Sequence, residues 1–295
     1  MNVRKKVTGV FAVDIDGTLI TDNGLITDEV FSALEKAVSA GWEVVVASGR
    51  TFYAAKAIFD QLPFLRYAVL SSGACIMDVK EARTLHLETI PSETVRSVVG
   101  VIREQGGIPA LYDTDMFDQQ VCYDSVDGAC DFFTRYVTDD PRCVRVDDVI
   151  SCIDDTLQIG MIAARDIVFS ICEALEEYPV RAMALPFESA TIGGKNHDYW
   201  FCQILAEHSD KINALKRVTS WLEMPEGRLV AIGDNFNDID MISQADVGVA
   251  MGNAPEEIRC LAREVVGTNN GSGLAEAVER ILLNDSYFDK DGVIG

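Results

Sequence analysis

Asp14 and Asp16 stand two positions apart, with Ile15 between them and Gly17-Thr18 directly behind. In an extended segment, side chains at i and i+2 project to one side, so two carboxylates emerge together before glycine turns the chain and threonine adds a hydroxyl. An ionised aspartate needs no base to act as a nucleophile, but it can approach a phosphate dianion only where positive charge offsets both. The second carboxylate can protonate a leaving oxygen and later activate water, the two roles of a general acid/base. The same pattern also marks plain Asp-Gly turns and calcium loops. No glutamate follows at the spacing a calcium loop requires.

Such a pair needs a rigid mount. Residues 8–13 are a short apolar run ending at Asp14, and residues 27–40 carry Val30, Phe31, Leu34, Ala37 and Val38 at helical spacing. A second buried strand is expected at 43–47, a helix at 51–62 and a third strand at 67–71. Residues 213–222, 228–233, 239–244 and 247–251 repeat the alternation as helix, strand, helix and strand. The pattern predicts an α/β fold, a Rossmann-like doubly wound parallel sheet. Its strands end at Asp14, Ser48-Gly49-Arg50, Ser71-Ser72-Gly73, Gly233-Asp234 and Met251-Gly252-Asn253. In an open parallel sheet those ends face one crevice.

Between the two halves lie more than a hundred residues with signals of their own: helices at 94–104, 125–136 and 167–177, and strands at 157–163 and 180–185. That is too long for a loop, so residues 84–208 are expected to form an inserted α/β cap domain above the crevice of a core made of 1–83 and 209–295. The cap would close on the core, exclude water and set specificity. Its polar side chains include Arg135, Arg142, Arg145, Arg165, Arg181, Lys195 and His197, none of which the sequence singles out as a contact.

Composition narrows the setting. The chain has 295 residues, a formal charge of −22 and 24% charged residues, the balance of a globular protein. So acidic a chain lacks the basic face that a nucleic-acid partner demands. An anionic substrate must then be held by local means: a metal ion, a few lysines or arginines, and backbone N–H groups. The eight cysteines are scattered singly, which argues against a zinc cluster and reads as reduced thiols of a cytoplasmic protein. Basic residues 1–6 are followed by too short an apolar run for an export signal, and no stretch reaches the roughly 18 apolar residues of a membrane span. Neither a membrane nor a nucleic-acid partner is expected, and the chain reads as a monomer or homodimer.

The order and wide spacing of four motifs resemble the haloacid dehalogenase-like superfamily, within it the Cof-type phosphatases that carry a large α/β cap. The motifs are Asp14-Ile15-Asp16-Gly17-Thr18, Ala47-Ser48-Gly49-Arg50, Lys211 in Lys211-Ile212-Asn213, and Gly233-Asp234-Asn235-Phe236-Asn237-Asp238. Residues 247–254 and 268–273 are similar to further core segments of that family. The resemblance implies Asp14 as nucleophile and Asp16 as acid/base. It implies Ser48, Gly49, Lys211 and Asn237 as phosphate-binding groups. Mg2+ would be held by Asp14, the Asp16 carbonyl and Asp234, with Asp238 acting through a water or a second hydrogen-bonded layer. Hard oxygens of this kind suit Mg2+, and a strand end leading into a helix suits an anion.

The implied activity is hydrolysis of a small phosphorylated metabolite, a sugar phosphate or similar, through an aspartyl-phosphate. Asp16 favours ester hydrolysis over the chemistry of superfamily members that resemble transport ATPases or dehalogenases, which lack that carboxylate. A phosphotransferase of the phosphomannomutase type keeps both aspartates and stays open, as does a ligand-binding protein that kept the fold without turnover. Two departures stand out. Ser72 replaces the usual asparagine after the third strand, removing an amide that could touch substrate, and Lys211 is followed by Ile-Asn rather than glycine.

Overall fold

The computed structural model describes residues 7–152, 155–192, 195–225 and 228–288. Segment 1–6 and the side chains of Lys195 and His197 lie outside the described residues. The chain divides into two compact units, Met1–His86 with Asp210–Gly295, and Leu87–Ser209.

Eight strands build the first unit's sheet. Numbered along the chain, they are β1 (Val10–Val13), β2 (Glu43–Ala47), β3 (Tyr67–Leu70), β4 (Cys75–Asp78), β5 (Arg83–Leu87), and then β12 (Leu229–Gly233), β13 (Val247–Ala250) and β14 (Glu264–Val265). Their order is β14-β13-β12-β1-β2-β3-β4-β5. Pairing is parallel from β14 to β3. β1 therefore has β2 on one side and β12 on the other, and the chain winds outward from it in both directions. That makes β1 the switch point of a doubly wound sheet, where a crevice opens beyond the carboxyl ends. Every residue of β1 and β12 is buried, as expected of strands covered on both faces.

Helices supply the cover. α1 (Asp28–Ser39) buries Val30, Ala33, Leu34 and Ala37 along one stripe, and the Thr27 hydroxyl caps it by accepting from the Val30 N–H. α2 (Phe52–Phe59) follows β2, while α6 (Lys211–Trp221), α7 (Ile239–Gln244), α8 (Glu256–Leu261) and α9 (Gly273–Leu283) belong to the returning half.

The doubly wound parallel core is as expected, and beyond it β4 runs antiparallel to β3 with Leu70 opposite Cys75. The reversal is made by Ser71, Ser72 and Gly73, whose φ angles of 47°, 51° and 109° all lie in the left-handed region. Lys211 does not precede its helix but opens it. Asp210 is the cap, its carboxylate accepting from the Asn213 N–H at 2.6 Å, so the helix starts two residues before the expected residue 213.

The second unit holds β6 (Ala110–Tyr112), β7 (Val121–Tyr123), β8 (Cys143–Arg145), β9 (Gln158–Ala164), β10 (Val180–Ile192) and β11 (Lys195–Ala206), in the order β10-β11-β9-β6-β7-β8. α3 (Ser92–Glu104), α4 (Asp131–Asp139) and α5 (Arg165–Ala174) accompany them. The unit has its own core, in which Val98 and Ile102 of α3 and Val168 and Ile171 of α5 join Ile159, Met161 and Ile204 of the sheet. The helix expected at 125–136 begins only at Asp131. Gly128, at φ 83°, breaks the earlier segment, and the Cys130 thiol caps the helix by accepting from the Phe133 N–H. The strand expected to stop at residue 185 continues to Ile192, because a register shift at Pro186/Glu188 absorbs the proline on an edge strand.

Candidate active site

Asp14 is the first residue beyond β1, and its N–H still donates to the Ile232 carbonyl at 3.0 Å, which ties it to β12. The chain then makes one wide turn: the N–H groups of Leu19 and Ile20 reach back to the carbonyls of Asp14 and Ile15. Gly17 sits inside that turn at φ 73°, and a Cβ there would lie 2.2 Å from Asp234 Oδ2. Only glycine permits both the backbone angle and so close an approach of the second carboxylate.

Asp234 follows β12 and is fixed from several sides. Thr18 Oγ1 donates to its Oδ1 at 3.0 Å, and Asn253 Nδ2 donates to its Oδ2 at 3.2 Å and to the Gly17 carbonyl at 2.9 Å. Asp238 lies one turn further on and is completely buried. Its Oδ2 accepts the N–H groups of Asp234 and Asn235, both at 3.0 Å, so it shapes the loop that presents Asp234. Lys211 is 0% exposed at the side chain and donates to Asp14 Oδ1 at 2.6 Å and to Asp238 Oδ1 at 2.5 Å.

Asp14, Asp234 and Asp238 each offer an oxygen within 4.8 Å of the other two. With all three carboxyls ionised, three carboxylates against one ammonium give a local charge of −2, the complement of a divalent cation. A cluster of hard oxygen donors with that charge fits Mg2+.

The electrostatics agree. Burial, followed by the charge of Asp238, raises the Asp14 carboxyl well above the usual range against the opposing pull of Lys211. The same two causes push Asp234 up to about 7. Burial alone would lower the Lys211 pKa, but Asp14 and Asp238 together outweigh it and hold the ammonium charged more firmly than in water.

Ser48 and Gly49 come from the loop after β2. The Ser48 hydroxyl accepts from the Arg50 N–H at 3.2 Å; the helix cap position itself belongs to Thr51. A Cβ on Gly49 would lie 3.2 Å from Asn237 Nδ2 and 3.3 Å from Ser72 Oγ, so three strand-end loops meet at this glycine. The Ser71-Ser72-Gly73 loop is braced in turn: Ser71 N–H donates to the Arg50 carbonyl and Ser72 N–H to the Ser48 carbonyl. A Cβ on Gly73 would collide with the Asp210 carbonyl at 2.2 Å, which shows how tightly this loop seats the start of α6 and hence Lys211.

The structure thus brings Asp14, Lys211, Asp234 and Asp238 into one cluster and sets Gly49, next to Ser48, against Asn237 and Ser72. The Asp16 side chain is not part of the cluster's hydrogen bonds, although its charge reaches Asp234. The Asp16 side chain is 58% exposed and is gripped by Arg50, whose Nε and Nη2 donate to its two oxygens at 2.8 and 2.6 Å. Sequence reasoning assigned no role to Arg50 or Asn253, although both stood at strand ends.

A family model described as haloacid dehalogenase-like hydrolase matches residues 11–278. Phosphatase YwpJ of Bacillus subtilis (strain 168) is 26% identical, over 92% of this chain and 99% of its own. Pyridoxal phosphate phosphatase YbhA of Escherichia coli (strain K12) is 24% identical, over 94% and 99%. A solved haloalkanoate-superfamily phosphatase from Bacteroides thetaiotaomicron shares the fold with a TM-score of 0.77 at 21% identity, over 96% of this chain and 98% of that one.

Proposed function

This chain belongs to the haloacid dehalogenase-like hydrolase family, and from that premise we propose that it is a Mg2+-dependent phosphatase that forms an aspartyl-phosphate on Asp14. Its substrate is a small phosphorylated metabolite, a sugar phosphate or similar ester; the relatives are named as phosphatases, one of them for pyridoxal phosphate. The observation that carries the reading is the cluster of Asp14, Asp234 and Asp238 around the buried Lys211, three carboxyl groups to one ammonium.

In this mechanism Asp14 Oδ attacks phosphorus, the bond to the ester oxygen breaks, and Asp16 gives that oxygen its proton. Asp16, now a carboxylate, takes a proton from water as the water attacks the phosphoryl group, and Asp14 and orthophosphate are released. Lys211 steadies the Asp14 carboxylate, while the Ser48 hydroxyl, the Gly49 N–H and the Asn237 amide receive the phosphoryl oxygens. Asp14, the Asp16 carbonyl and Asp234 are the groups that would hold Mg2+, with Asp238 orienting Asp234 from behind. Bound there, Mg2+ supplies the positive charge that lets a carboxylate approach a phosphate dianion.

Residues 84–208 act in this reading as the cap that sets specificity. A cytoplasmic setting accords with the seven described cysteines, all free thiols. Among the described residues no helix is long and apolar enough to cross a membrane.

The test is release of phosphate from p-nitrophenyl phosphate and a panel of sugar phosphates, with Mg2+ or with EDTA. Activity that needs Mg2+ and falls by at least about 10³-fold in Asp14→Asn is expected. An Asp14→Asn protein as fast as wild type would rule out the aspartyl-phosphate.

A further inference from the structure

Resting on the phosphatase reading above, we propose that Arg50 is a positioning residue that fixes the direction of the Asp16 carboxylate, so that its contribution grows with the leaving group's need for a proton.

The guanidinium is committed at all three nitrogens. Nε and Nη2 hold the two oxygens of Asp16 at 2.8 and 2.6 Å, and Nη1 donates to the Ala54 carbonyl in α2 at 2.9 Å. The backbone of Arg50 is pinned as well, by the Ser48 hydroxyl on its N–H at 3.2 Å and by the Ser71 N–H on its carbonyl at 2.9 Å. A fork anchored at both ends of its own residue transmits a fixed direction to whatever it grips.

Asp16 needs that grip. It lies within the wide turn, next to Gly17, with its side chain mostly in solvent, and among the described residues Arg50 alone donates to its carboxylate. Stability alone does not require the fork: a two-bond pair whose Asp16 side is mostly in solvent adds modestly to folding, and ordering an arginine costs rotamer entropy. What the fork supplies is direction, which governs whether a proton reaches an oxygen in the transition state. Because both oxygens are held, one bond persists when the other oxygen carries the proton. Arg50 therefore stays attached through the acid role of Asp16 and through its base role.

Leaving-group dependence tests this. 2,4-Dinitrophenolate departs without a proton, p-nitrophenolate needs little help, and the alkoxide of glucose 6-phosphate needs a full proton. With Mg2+ saturating, kcat/KM is measured for the three esters with wild type, Arg50→Ala and Arg50→Lys, together with inhibition by orthophosphate. Arg50→Ala is expected to lose at least about tenfold more on glucose 6-phosphate than on 2,4-dinitrophenyl phosphate, as general-acid assistance predicts. Orthophosphate inhibition should stay within about twofold of wild type, and lysine, with one point charge in place of a fork, should recover part of the loss. Equal losses on all three esters overturn the proposal, and so does orthophosphate inhibition that weakens with the loss of activity, since Arg50 would then hold the phosphate itself. Wild-type protein inert towards all three esters defeats the phosphatase reading, and this inference with it.

Discussion

Asp234 is a carboxyl group whose surroundings favour the protonated form more than water does. Burial and Asp238 bring it to about 7 in the fold, against about 3.9 for an aspartate in an unfolded chain. A folded-state pKa above the unfolded value means that the folded protein binds more protons, so metal-free protein loses stability as pH rises from about 4 to about 7. Asp14 is shifted in the same direction and adds to the trend. A divalent cation competes with those protons, so apparent Mg2+ affinity should climb through the same window and level off above about pH 8. Calorimetric titration of Mg2+ between pH 5.5 and 8.5 checks it, with proton release read from buffers of different ionisation enthalpy. Asp234→Asn should lower the affinity and flatten the pH dependence of metal-free stability. An affinity independent of pH would mean that the cluster is not where the cation sits.

At the scale of elements, the site depends on how closely loops approach one another, and glycines mark where the tolerance is smallest. Gly17→Ala sets a methyl 2.2 Å from Asp234 Oδ2 and forces alanine to φ 73°. Asp234 or the turn must shift, so the variant should stay folded, lose about 1–2 kcal/mol of stability and bind Mg2+ at least about tenfold more weakly. Urea unfolding and the same calorimetric titration separate the two effects. A Gly17→Ala protein with wild-type Mg2+ affinity would show that the turn and the Asp234 loop are independent. Elements of this kind differ in how far the sequence reveals them. β1, β2 and β12 are uninterrupted apolar runs, and the polar residues at their ends were visible as candidates because strand ends in such sheets face one crevice. The continuation of β10 past Pro186 was hidden because a bulge cancels the usual meaning of proline. The role of Asn253 was hidden because it depends on distant partners: its amide holds Asp234, and its own oxygen accepts from the Asn269 N–H at 3.0 Å. No local period encodes such a bond. Arg50 escaped for the same reason, since its partner Asp16 is 34 residues away.

For the molecule as a whole, a charge of −22 sets long-range repulsion against any phosphate ester that diffuses towards it. Locally, a divalent cation bound beside Lys211 would offset the cluster's negative charge, but only over a few ångströms, because exposed charges are screened within about 8 Å at 0.15 M salt. Capture and chemistry should therefore respond differently to ionic strength. With Mg2+ held saturating, kcat/KM for a dianionic ester should rise about two- to fivefold as sodium chloride goes from about 0.01 to 0.15 M, because screening weakens the repulsion that slows encounter. kcat, which starts from bound substrate, should change little over the same range. Most phosphate-binding proteins that draw substrate in through a basic surface show the opposite slope, so the sign of the effect is informative. A kcat/KM that falls with salt would mean that a positive field around the crevice outweighs the acidic surface as far out as the substrate's approach path, and that the net charge plays no part in capture.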